Sequence, residues 1–160
     1  MPVFYVESSA LFKRYRTERG TDVVNAVFSE RTDSDLLVTS QIVTIEMEST
    51  AARGLRGRAL NRRAYGAMLR SFAEDLGNIV VLPLYGPIVL EAAQVARQYA
   101  LRALDAIHLA SAVRVSQTIP VQTVLVAADG ELIRAGEGAG LAVLNPEAAD
   151  AMQALERIRR

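Results

Sequence analysis

VFYVESSALFKRY, residues 3–15, decides the fold. Residues 3–6 form an uninterrupted apolar run of the kind expected in a strand covered on both faces, and Glu7 follows directly at its end. Behind the acid, residues 9–17 take up helical spacing. A strand that passes straight into a helix is the unit of an open α/β sheet, and such sheets bind ligands at the carboxyl ends of their strands.

Working outward, short apolar runs recur at 36–38, 79–82, 121–127 and 141–144, several of them β-branched and bounded by Gly, Pro or Asp. Helical spacing occupies 22–30, 41–53, 59–76, 87–100, 104–115 and 131–135. Pro87 suits a first helical turn, Pro120 separates a helix from the next strand, and Asn145-Pro146 ends the last strand. The alternation predicts an α/β fold, a three-layer α/β/α sandwich with a mostly parallel central sheet. Residues 1–146 read as one domain. Residues 147–160 read as a C-terminal helical appendage with Met152, Leu155 and Ile158 on one side.

Composition narrows the chemistry. A chain of 160 residues with 51% hydrophobic and 22% charged residues suits one core and excludes wholesale disorder. The absence of cysteine excludes disulfides, thiolate metal sites and a thiol nucleophile, in keeping with a reducing cytoplasm. The N-terminal residues lack the basic region, apolar run and cleavage site of a signal peptide, and no run reaches the ~18 apolar residues that span a bilayer, so a soluble, cytoplasmic protein without membrane contact is expected. A net charge of +0 argues against non-specific nucleic-acid binding by the whole surface but leaves room for a local basic patch.

Four acids stand where strand or helix ends would bring them to one pocket: Glu7, Glu46, Asp105 and Asp129. Glu7 and Asp129 follow strands. Glu46 and Asp105 lie in helical patterns beside core-like residues, Ile42, Val43 and Ile45 for the first and Ala106, Ile107, Leu109 and Ala110 for the second, where a carboxylate is costly unless paired or metal-bound. Hard oxygen donors with no cysteine and one histidine favour Mg²⁺ or Mn²⁺ over zinc or copper. Each acid also has a plainer reading as a solvated or capping carboxylate, and Asp129 before Gly-Glu-Leu is well placed to cap a helix.

Four segments in order, FYVESSALFKRY (4–15), TSQIVTIEME (39–48), LRALDAIHLASAV (101–113) and LVAADGELIRAGEGAGLAVLNP (125–146), resemble a PIN-domain protein of the VapC toxin type over about residues 3–146. The resemblance implies a PIN-like fold, Mg²⁺- or Mn²⁺-dependent endoribonuclease activity on an RNA substrate, homodimerisation and inhibition by a cognate antitoxin protein. It implies 5′-phosphate and 3′-hydroxyl products. Glu46, Asp105 and Asp129 match the family's acids, and Ser9 matches a small hydroxyl position that would orient a carboxylate or water. Glu7 departs from the pattern, since the family has aspartate there. One extra methylene moves the carboxylate by roughly 1.5 Å. A catalytic site of Glu7, Ser9, Glu46, Asp105 and Asp129, with the four acids around the metal, is therefore one reading. The other is a non-catalytic PIN-like protein- or RNA-binding module whose metal site has decayed.

Weaker signals remain open. His108, three residues after Asp105 on the same helix face, could hydrogen-bond that carboxylate or contact substrate, or it is a packed histidine or one that supports a carboxylate from behind. Arg53, Arg56, Arg58, Arg62, Arg63 and Arg70 lie in a stretch, 49–73, with no acid; they suit an RNA backbone, an acidic antitoxin segment or an ordinary solvated face. Lys13, Arg14 and Arg16 follow Glu7 closely enough to position phosphate, or they decorate a helix surface. Tyr5, Phe12, Tyr15, Phe28 and Phe72 are spaced for packing.

Overall fold

A computed structural model describes residues 2–29 and 35–160. Residue 30, the end of one expected helix, lies outside the described residues. Five strands, β1 (Val3–Val6), β2 (Leu36–Ser40), β3 (Val80–Leu82), β4 (Thr123–Val126) and β5 (Ala142–Leu144), form one sheet in the order β3-β2-β1-β4-β5. Every pairing is parallel. The chain first winds from β1 outward to β3 and then crosses back to lay β4 against the other side of β1, so the winding direction reverses between β1 and β4.

Helices cover both faces. β1 shows how: Phe4 and Val6 join one buried cluster with Val24, Met47, Phe72 and Leu155, while Val3 and Tyr5 join the other with Leu109, Leu125 and Leu132. The period-2 alternation of a strand thus feeds two cores, which is why its sequence is apolar throughout. On the first face lie α1 (Ser8–Leu11), α2 (Thr21–Ser29), α3 (Ile42–Arg56), α4 (Arg62–Leu76) and α8 (Ala151–Arg159), and on the second α5 (Gly86–Tyr99), α6 (Ala103–Thr118) and α7 (Gly130–Gly138). Among the described residues, no helix is long and apolar enough to cross a membrane.

Three details differ from the sequence expectation. The helix expected over 9–17 is a single α-turn, α1, followed by a 3-10 turn, Phe12–Arg14. The last helix begins at Ala151 rather than 147, and it packs Ala151 and Leu155 into the first core. In α3 the buried stripe is Val43, Met47 and Ala51, at i, i+4 and i+8, so Ile45 points away and is 70% exposed.

Candidate active site

Three of the four acids stand at helix N-termini on the carboxyl edge of the sheet. Glu7 is the N-cap of α1, Asp129 the N-cap of α7, and Asp105 lies in the first turn of α6. Glu7 follows β1 and Asp129 follows β4, the two strands between which the winding reverses; the Glu7 amide donates to the Val126 carbonyl at 3.0 Å. That crevice is where open α/β sheets place ligands. The partial positive charge of each helix start favours a negative group there.

Glu7 is only 2% exposed and both of its oxygens are engaged. Oε1 accepts from Ser8 Oγ at 2.5 Å; Oε2 accepts from Ser9 Oγ at 2.5 Å and from the Ser9 amide at 3.0 Å. Ser9 Oγ in turn accepts from the Ala128 amide at 2.9 Å, tying the end of β1 to the segment that carries Asp129. Ser8 also lies 3.0 Å from Glu46 Oε1. A hydroxyl has one proton to give. Ser8 can therefore donate to only one of the two carboxylates at a time.

Glu46 is fixed from behind. His108 Nε2 lies 2.8 Å from Glu46 Oε2, and His108 Nδ1 lies 3.0 Å from the Tyr5 hydroxyl. Because an ionised carboxylate only accepts, Nε2 carries the hydrogen, and in the neutral ring Nδ1 accepts from Tyr5. Both His108 and Tyr5 are fully buried, with their rings edge to face at 5.9 Å. His108 thus packs and supports a carboxylate at once, and the carboxylate it touches is Glu46 rather than its helix neighbour Asp105. Tyr5 was read only as packing; its position two residues before Glu7 puts it on the same strand face, a signal available in the sequence.

Glu7, Glu46 and His108 each offer a ligand atom within 4.8 Å of the others. Asp105 and Asp129, expected in the same site, are not members of this three-residue group. The Asp105 carboxyl is pushed above its ordinary value by burial first, then by the charges of Glu7 and Asp129, with His108 and Arg102 opposing. Asp129 presents Oδ1 to the Glu131 and Leu132 amides at 2.9 Å each, so it does cap α7, and Oδ2 takes no part in that cap. No lysine or arginine forms an ion pair with any of the four acids among the described residues. Oxygen-rich, crowded and short of positive charge, this donor set fits a hard divalent cation.

Of the basic residues after Glu7, Lys13 and Arg14 are committed elsewhere, while Arg16 is exposed. Lys13 is buried between Glu18 and Glu147, and Arg14 pairs with Asp75 through Nε at 2.7 Å and Nη2 at 2.9 Å. Neither is free to meet a phosphate. A cavity of about 500 Å³ between the 3-10 turn, α2 and α4 is lined in part by Arg14, Tyr15 and Asp75, and none of the four acids lines it.

A family model described as PIN domain matches residues 4–138. Ribonuclease VapC45 of Mycobacterium tuberculosis is 28% identical over 115 residues, covering 72% of this chain and 78% of that protein. Among solved structures, PAE2754 from Pyrobaculum aerophilum superposes with a TM-score of 0.62 at 20% identity, covering 99% of this chain and 98% of that one. VapBC-1 from nontypeable Haemophilus influenzae gives 0.64 at 14% identity, covering 91% and 99%.

Proposed function

This chain belongs to the PIN domain family, and we propose that it is a divalent-cation-dependent endoribonuclease, the toxin of a toxin–antitoxin pair. The reading is supported by Glu7 and Glu46 lying close enough to share one ion, by the charges of Glu7 and Asp129 acting on Asp105, and by the lack of any lysine or arginine paired to the four acids among the described residues. The VapC ribonucleases among its relatives support the choice of RNA.

In this reading Glu7, Asp105 and Asp129, with Glu46 beside them, hold Mg²⁺ or Mn²⁺. Bound there, such an ion offsets charge on a phosphodiester and lowers the pKa of water. The chain's own residues do the rest. Ser8 and Ser9 hold the Glu7 carboxylate by both oxygens, Ser9 joins it to the Asp129 segment, and the Tyr5–His108 pair keeps Glu46 facing the crevice. Cleavage leaves a 5′-phosphate and a 3′-hydroxyl. The test is incubation with RNA in Mn²⁺ or Mg²⁺ and in EDTA: cleavage only with the cation supports the reading, and no cleavage under either condition removes it.

One observation favours the rival. Glu7 spends both oxygens on the serines and caps its own helix. A site so occupied fits a PIN-like binding module whose metal site has decayed. Glu7→Asp separates the two: a large gain of cleavage in the variant favours the decayed site, and little change in an already active protein favours glutamate as a working ligand.

The partner we propose is a cognate antitoxin, in keeping with the toxin–antitoxin complexes among its structural neighbours. Homodimerisation is supported by exposed apolar side chains on adjoining elements: Ile45 of α3, Leu84 and Tyr85 before α5, and Val89 and Leu90 on it. A cytoplasmic site of action accords with a chain lacking cysteine.

A further inference from the structure

On α3 the residues Glu46, Ser49, Thr50 and Arg53 fall at i, i+3, i+4 and i+7, one continuous stripe running away from the acidic site. Arg53 folds back along it. Its Nη1 donates to Ser49 Oγ at 2.7 Å and its Nη2 to Thr50 Oγ1 at 3.1 Å, so the guanidinium hangs toward Glu46, the direction helical side chains lean. Seven residues of helix rise ~10.5 Å, and the fold-back shortens that span. Arg53 is exposed and has no carboxylate partner among the described residues.

The stripe ends in a turn of the same sign. Arg56 and Arg58 follow it, and Arg62 and Arg63 open α4, whose first turn holds no acid. Arginine at a helix start opposes the macrodipole, a local cost without compensating ion pairs among the described residues. In a chain of net charge +0 this is a concentrated positive field beside a concentrated negative one.

We infer that Arg53, with Ser49 and Thr50, is a phosphate-binding subsite that receives the RNA backbone a few nucleotides from the cleaved bond, and that the arginine turn beyond it extends the track. The inference rests on the ribonuclease reading. Guanidinium and hydroxyl donors are the groups that contact backbone phosphates, and they position a strand without reading its sequence. The stripe's continuity with Glu46 favours RNA over an acidic protein.

The test uses the full chain carrying Asp105→Asn, so that RNA survives, with and without Arg53→Ala, and a labelled single-stranded RNA followed by fluorescence anisotropy over a KCl series. Arg53→Ala is expected to weaken binding roughly tenfold and to reduce the salt slope by about 1. Arg157→Ala on α8, whose guanidinium already pairs with Asp150 at 3.1 Å, is expected to change neither. In the cleaving protein the loss from Arg53→Ala falls on KM rather than kcat. Binding by the parent with an unchanged slope in Arg53→Ala overturns the subsite alone, and no RNA binding by the parent at any salt overturns both it and the ribonuclease reading. Intact RNA affinity with weakened capture of a polyglutamate peptide assigns the stripe to an acidic protein and also overturns it.

Discussion

Two groups of buried charge in this molecule are built on opposite rules. Under the C-terminal helix every buried charge meets its opposite: Lys13 lies between Glu18 and Glu147, and Arg159, over the Phe4 ring at 5.5 Å, pairs with Asp35 at 3.0 Å while donating to the Ala26 and Val27 carbonyls. At the carboxyl edge of the sheet, buried Glu7 sits with Glu46, Asp105 and Asp129, and among the described residues no lysine or arginine pairs with any of them. Paired charge ties α8 to the residue before β2 and the 3-10 turn to the segment before α8, and the same Arg159 reaches the α2 carbonyls. Unpaired like charge does no such work and costs folding free energy, a cost that the cation proposed above would offset.

The contrast can be broken from either side. Asp105→Asn should have the largest effect, a loss of RNA cleavage of about 10³-fold or more, because the charge stabilisation a divalent ion supplies is worth several kcal/mol. Gel assays over a range of Mn²⁺ measure it, and retained cleavage would remove Asp105 from the site. Arg159→Ala should leave Asp35 without that partner and lower stability by about 3 kcal/mol, read by urea unfolding, with cleavage at low temperature preserved. A small stability change there would erase the difference between the two regions.

Next in size, His108→Gln and Tyr5→Phe should each reduce cation affinity or cleavage by roughly 10- to 100-fold. Tyr5→Phe keeps the packing and deletes only the hydroxyl, so a normal melting profile with weakened Mn²⁺ binding identifies positioning rather than folding. The smallest effect concerns pH. The folded-state pKa of Asp105 is raised, so its ionisation disfavours the native state; the cost is absent below the ordinary carboxylate range and grows as pH rises through it. Metal-free Asp105→Asn should therefore melt higher than the parent at neutral pH, and the gap should close in acid. A gap that widened in acid would contradict the sign.

The sheet and helices were legible because strands buried on both faces leave plain apolar runs, and the placement of Glu7 and Asp129 after strands because each ends such a run. What stayed hidden depends on distance in three dimensions. Nothing local to Tyr5 or His108, 103 residues apart, says that they touch or that Glu46 lies beyond them. Lys13 looked available for phosphate because its partner Glu147 lies 134 residues away. Ile45 is a different case: the i, i+4, i+8 rhythm of Val43, Met47 and Ala51 sets it on the opposite side of α3, so its exposure was readable from periodicity.

The central claim is that the unpaired acids form one cation site. Crystals soaked in Mn²⁺ and measured for anomalous scattering test it most directly. The account predicts a peak in the crevice between β1 and β4 with Glu7 and Asp105 among its ligands. No peak there, or an ion bound elsewhere with these two carboxylates untouched, would contradict it.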